Sequence, residues 1–138
     1  MATKMVFEVL ESVRKCRTKE QKIKILQENE SFALKDILRG SIDEKVEWNL
    51  PQGEPPYNAA DGHNAPSNWL RQNMQLKYFV KGGVGDKMPA FKREAIFIGL
   101  LESIHPQDAK HVVNMINKTP PKGVTKAIVK DAFPNLLP

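Results

Sequence analysis

Apolar residues recur along this chain at the three- and four-residue spacing of amphipathic helices. Val6, Val9, Leu10 and Val13 mark a first helix from about residue 4 to 16. Thr18 can cap a second that turns Ile23 and Leu26 inward, and Ser31 a third that buries Leu34, Ile37 and Leu38. Ser67 restarts a helical pattern with Trp69, Leu70, Leu76, Phe79 and Val80, which "KGGVGDKMP" ends as a helix stop and flexible linker. Ala90 to Ile104 is apolar on several faces and reads as the central helix of the core. Pro106 suits the first turn of the next helix, where Ala109, Val112, Val113 and Ile116 share one face. Thr125 to Phe133 reads as the last. No segment alternates with period two, so the pattern predicts an all-α bundle of about seven helices.

One stretch breaks the pattern. "NLPQGEPPYNAADGHNAP" holds four of the ten prolines together with Gly53 and Gly62, a composition that resists helix and sheet alike. It predicts a long proline-rich loop over about residues 50–66, of a length often associated with function or mobility. A chain of 138 residues is the size of one domain, 1–138, with enough bulk for a core.

Charge adds a direction. The net charge is +5, and the excess is uneven: from His105 onward five lysines face only Asp108 and Asp131. Such an imbalance favours nucleic acid or another polyanion. Lys122, Lys126 and Lys130 fall at i, i+4 and i+8, which stacks them on one face of a short helix with no carboxylate between them. Like charges so placed cost roughly 0.2–0.5 kcal/mol per pair, a cost that an anionic partner offsets. The N–H groups of Gly123, Val124 and Thr125 would lie at the helix entry, where free donors and the positive dipole end attract phosphate. The alternative is a solvated lysine face.

The remaining chemistry is sparse. Cys16 is the single cysteine, which excludes an internal disulfide and a four-cysteine zinc site and fits a reducing compartment. Lys4, Glu8 and Glu11 interrupt the N-terminal apolar positions and exclude a signal-peptide core, and no apolar run reaches membrane-spanning length. A soluble protein is expected. His63, His105 and His111 lack metal-ligand spacing. Asp61-Gly62 is a turn pair before it is a catalytic loop. The glycines between Lys81 and Lys87 lack the Gly-Lys-Ser/Thr ending of a phosphate loop, though Lys81 and Lys87 could reach a phosphate backbone. "QLKYF" at Gln75 to Phe79 looks like a sliding-clamp docking peptide, but its place in a helical pattern favours core packing.

Two segments carry a resemblance. "FEVLESVRKCRTKEQKIKILQENES", through Thr18, Lys19, Gln21, Lys22, Ile25, Leu26 and Asn29, resembles the first helix pair in the N-terminal DNA-binding domain of phage ATP-dependent DNA ligases of the T-even type. "KGVTKAIVKDAFPNLLP", through Gly123, Thr125, Phe133, Pro134, Leu136 and Pro138, is similar to that domain's closing loop, helix and tail. The resemblance implies an all-helical fold that grips duplex DNA by its phosphates. It makes Lys122, Gly123, Val124, Thr125 and Lys126 the first DNA-binding candidates, with Lys130 from the lysine row and Lys19 and Lys22 in support. The ligases' Lys-x-Asp-Gly nucleophile motif is absent, since Ala59 and Ala60 precede the sole Asp-Gly.

The expected protein is therefore a free-standing phage DNA-binding module in the cytoplasm of an infected bacterial host, without catalytic residues, cofactor or metal. It would bind duplex DNA with low sequence specificity, because phosphate contacts position rather than specify. The competing expectation is a protein-interaction module for a phage or host factor, with Trp48, Tyr57 and Trp69 around the long loop as anchors.

Overall fold

Polar caps start the helices where the sequence provides them. In the computed structural model, which describes residues 4–137, Thr18 Oγ1 accepts from Gln21 N at 3.2 Å and opens α2 (Lys19–Glu28). Ser31 Oγ accepts from Leu34 N and opens α3 (Phe32–Ile42). The preceding α1 (Val6–Lys15) starts with the Glu8 carboxylate accepting from Met5 N. Beyond the long loop come α4 (Trp69–Gln72), α5 (Ala90–Ser103), α6 (Pro106–Ile116) and α7 (Lys126–Ala132), with 3₁₀ turns at Asn73–Tyr78 and Val84–Lys87. No strand occurs among the described residues, where extended pairing is limited to an isolated antiparallel bridge between Trp48 and Val80. The fold is all-α, organised around one apolar core.

That core is centred on α6 rather than α5. Ala109, Val112, Val113, Met115 and Ile116 are all buried, and α6 packs on α1, α3 and α5. In α5 only Phe97, Leu100 and Leu101 are buried, while Phe91 is 76% exposed. The apolar spread of α5 has another cause: the proline-rich loop covers part of its outer side, with Asn58 N donating to Glu102 Oε2 and Ser67 N to Ser103 O, both at 2.8 Å.

The helix expected from Ser67 to Val80 lasts one turn. Trp69 and Phe79 are both fully buried, yet ten residues of α-helix would rotate them onto different faces. Tightening to three residues per turn puts Asn73, Leu76 and Phe79 in register. Asn73 Nδ2 then donates to Asp36 Oδ2 on α3 at 2.8 Å, Leu76 packs on the core, and the Phe79 ring meets Phe97 edge-on. Within "QLKYF" Phe79 is buried in the core, Leu76 and Tyr78 pack against it half-buried, and Lys77 is exposed. The glycine run that follows is a closed turn rather than a flexible linker. A Cβ on Gly85 would collide with the Tyr78 carbonyl, Asp86 accepts from Gly82 N and Asn49 Nδ2, and Arg93 donates to the carbonyls of Asn49, Gly85 and Met88.

A second close approach, to side chains from two other segments, is at Gly40. A Cβ there would lie 2.6 Å from the Trp48 ring and 2.7 Å from Met115 Sδ. The Gly40 carbonyl accepts from Trp48 Nε1 (3.1 Å) and from Lys118 Nζ (2.9 Å), and the same ammonium donates to the carbonyls of Asp43 and Val46. Lys118 thereby caps the C-terminus of α3, where orphan carbonyls and the negative dipole end favour a cation. Trp69 Nε1 donates to Ala33 O at 3.0 Å, so both tryptophans are internal ties to α3 rather than free anchors around the loop.

Asp108 plays the corresponding part for α1. It is 2% exposed, and its Oδ1 accepts from Phe7 N at 2.9 Å, which caps the first turn of α1 from a neighbouring helix. Burial pushes its carboxyl up to about 6; the Phe7 bond opposes the rise and the Glu8 charge adds to it.

Two predictions follow from this packing. Gly40→Ala, which in an exposed helix would add roughly 1 kcal/mol of stability, should here remove about 1–3 kcal/mol by overpacking. Urea unfolding should show a lower midpoint at unchanged slope. For Asp108 the folded-state pKa lies above the unfolded one, so its contribution is fully present below about pH 4 and is lost as pH rises through about 6. Asp108→Asn keeps an acceptor for Phe7 N. It should flatten the stability profile across that window and match or exceed the parent at pH 7, by on the order of 2 kcal/mol.

Candidate nucleic-acid interface

The basic candidates converge where α1 ends, α2 begins and the chain enters α7. Gly123 supplies the turn, with φ +81°, in the left-handed region that favours glycine. Its Cα side faces Arg14, whose Cα would be 3.3 Å from an added Cβ, and its carbonyl accepts from Lys22 Nζ at 2.8 Å. Lys19 Nζ meets Asp131 Oδ2 at 2.7 Å, and Gln27 Nε2 donates to Ala132 O at 3.1 Å. Three side chains of α2 thus fasten α7 and its entry loop.

These contacts redistribute the roles read from the sequence. Lys19 and Lys22 are joined to α7 rather than wholly free for an anion. Val124 is buried, and its N–H donates to Pro121 O, so neither its side chain nor its amide faces solvent. Thr125 Oγ1 accepts from Ile128 N at 3.3 Å and caps α7. Because that cap sets the helix start at Lys126, Lys122 lies in the preceding turn, and the face of α7 carries two lysines of the three. The lysine row is also not isolated from carboxylates: Lys126 shares a cleft of about 200 Å³ with Asp43 and Glu44 at the end of α3.

Lys122, Lys126 and Lys130 are exposed, and none has an ion-pair partner among the described residues. The structure adds Arg14, Lys15 and Arg17 to this end. Glu11 takes both Arg14 and Lys15, and the guanidinium bond holds its carboxyl below the usual range. Arg17 is exposed with no such partner among the described residues. The signal for these residues was the run Arg14-Lys15-Cys16-Arg17, with three cations in four positions. Cys16 is half-buried and directs Sγ to Ser12 O.

The histidines take separate places. His105 stacks on Phe7 at 4.2 Å and caps α6 by accepting from Gln107 N through Nδ1. His111 lies in the α1–α6 groove, where burial lowers its pKa against the opposing pull of Glu11. No three His, Cys, Asp or Glu side chains group to hold a metal among the described residues, and no described helix is long and apolar enough to cross a membrane.

Residues 9–121 match the model of a family of unknown function, DUF6433, and the chain belongs to that family. No curated protein matches it. The matched span includes Lys19, Lys22 and the Arg14–Arg17 run and stops just short of Lys122 and α7.

The α2–α7 ties have a measurable consequence. Lys22→Ala should cost about 0.5–1.5 kcal/mol, the scale of one hydrogen bond, and Lys19→Ala less than about 1 kcal/mol, because that pair is half-exposed. Both losses should be local: amide exchange in α7 should accelerate while α3 and α6 keep their protection.

Proposed function

We propose that this protein is a non-enzymatic module that binds the phosphate backbone of duplex DNA with low sequence specificity, through the basic end built by the α1–α2 turn, the Gly123 loop and α7. The observation that carries the reading is the placement of the Gly123 loop directly against Arg14, which joins two basic segments far apart in sequence into one surface. Residues 11–28 and 122–131 together hold nine cationic and four acidic side chains. Arg17, Lys122, Lys126 and Lys130 supply the charge, while Gly123, Val124 and Thr125 shape the loop and Lys19 and Lys22 hold it in place. α7 carries no Arg, Asn or Gln to read base edges, and phosphate contacts position a protein on DNA rather than select a sequence. The resemblance to the phage ligase DNA-binding domain supports the same reading, and with it a location in the cytoplasm of an infected bacterium. The missing Lys-x-Asp-Gly motif supports a role without adenylation; incubation with labelled ATP should leave no covalent adduct.

A second reading rests on a different observation. Phe32 is 81% exposed and borders a cleft of about 630 Å³ between α3 and the tail after α7, which also includes Phe133, Pro134 and Leu136. An exposed aromatic beside a cleft that mixes apolar side chains with Glu30, Lys35, Asp36 and Arg39 suits a protein partner from the phage or the host.

Salt dependence separates the two. Four unpaired cations neutralising about four phosphates should give log affinity against log salt a slope of roughly −3.5. Lys126→Ala should weaken binding to every duplex by a similar factor and flatten the slope by about one unit. Anisotropy titrations with nicked duplex, intact duplex and single strand at several salt concentrations give both numbers. If the parent shows no salt-dependent duplex binding, or if replacing Lys122, Lys126 and Lys130 together by Ala leaves it unchanged, the DNA reading fails. Phe32→Ala then becomes the informative variant.

A further inference from the structure

Among the described residues four large apolar side chains stand largely in solvent, and three of them, Met74, Val84 and Phe91, fall between α4 and the first turn of α5. The same stretch, Asn73 to Lys92, carries four lysines and a single acid, Asp86. Both oxygens of Asp86 are used within the fold, accepting from Asn49 Nδ2 at 2.6 Å and from Gly82 N at 2.8 Å. Lys81 Nζ lies 3.7 Å from Glu47 Oε2, whereas Lys77, Lys87 and Lys92 have no ion-pair partner among the described residues.

The backbone brings the two kinds of side chain together. In a 3₁₀ turn residues i and i+3 share a face, so Asn73–Tyr78 aligns Met74 with Lys77 and Val84–Lys87 aligns Val84 with Lys87. The two turns touch: a Cβ on Gly83, next to Val84, would lie 2.8 Å from the Lys77 carbonyl, and Gly85 packs on the Tyr78 backbone. Arg93 of α5 donates to the Gly85 and Met88 carbonyls at 3.1 and 3.0 Å, which fixes the approach to Phe91. A surface fixed before contact avoids part of the ordering cost of binding.

Charge and composition decide the partner. The lysines select an anionic surface. Duplex DNA offers phosphates but no apolar phase for Met74, Val84 and Phe91. A protein interface would cover the apolar part, but such interfaces are depleted of lysine and enriched in arginine, and the unpaired cations of this stretch are all lysine. The head-group region of an anionic bilayer meets both needs, because its phosphates take the ammonium groups while the acyl boundary takes the apolar side chains.

We propose that the two 3₁₀ turns and the first turn of α5 dock peripherally on an anionic phospholipid bilayer, with Met74, Val84 and Phe91 at head-group depth and Lys77, Lys87 and Lys92 on lipid phosphates. This surface is built from elements other than the basic end, so it stands or falls separately from the DNA reading.

The test is flotation of the full chain, without nucleic acid, with vesicles of phosphatidylcholine alone or mixed with phosphatidylglycerol. Binding is expected to the mixed vesicles and not to the neutral ones. Phe91→Ser and Val84→Ser should each weaken it by about fivefold to tenfold, and Lys87→Gln by about fivefold. Lys110→Gln, the same change of charge on the exposed side of α6, should weaken it by less than about twofold. In Phe91→Trp the added emission should shift to the blue and be quenched by brominated acyl chains, which adsorption through net charge alone would not produce; circular dichroism confirms that each variant keeps its helix. Absence of binding to the mixed vesicles at low salt would overturn the proposal. So would binding that both serine variants leave unchanged, or equal losses in Lys87→Gln and Lys110→Gln.

Discussion

The architecture depends on how closely α3 and α6 approach at Gly40. With no side chain there, Met115 and Trp48 both reach the helix backbone, and any Cβ would push them away. The same residue presents its carbonyl to two donors, Trp48 Nε1 and Lys118 Nζ. Glycine inside a helix weakens it by roughly 1 kcal/mol relative to alanine. The cost is offset here because close packing, a side-chain hydrogen bond and a helix C-terminal cap all meet at one backbone position. Once α6 is fixed against α3, its other faces decide the rest: Asp108 receives the start of α1, and α5 packs on the side that remains.

The fold also sorts charge. The stretch from Val46 to Leu70 lies outside the regular helices except for the start of α4 and contains every residue of the proline-rich loop, yet has no cation to offset its three acids. Cations gather instead on α1, α2 and the approach to α7. Each basic residue there meets one of two fates. Lys19 and Lys22 are used by the structure, joined to Asp131 and to the Gly123 carbonyl, whereas Lys122, Lys126, Lys130 and Arg17 keep their charge toward solvent. Buried or part-buried polar groups follow the same economy of pairing, since no buried side-chain nitrogen or oxygen among the described residues lacks a partner.

Much of this was legible in the sequence because its signals are local. Thr18 and Ser31 cap helices that start where they predict, and the apolar spacing of α1 and α6 picks out their buried faces. What misled was apolar content whose partner is distant in the chain. The several apolar faces of α5 reflect a loop lying on it, and the Trp69 to Phe79 pattern takes a 3₁₀ period that lets Asn73 reach Asp36 on α3 while Phe79 meets Phe97 on α5. Gly85 looked like a source of flexibility, but its small size answers to the Tyr78 backbone seven residues earlier. In the candidate interface, the lysines were legible as charges and illegible as partners. Nothing local to Lys22 indicates that a carbonyl 101 positions away will receive it.

That long-range bond bears on how the basic end works. An isolated helix of seven residues is marginal in water, and α7 carries two lysines one turn apart that weaken it further. It stands because Ile128, Val129 and Ala132 are buried and because Lys22, Lys19 and Gln27 of α2 hold, in turn, its entry, its acidic residue and its last turn. The two groups of cations are therefore not interchangeable. Those of α2 spend their charge within the molecule so that those of α7 can stay on a fixed surface, and the geometry of the second group depends on the first.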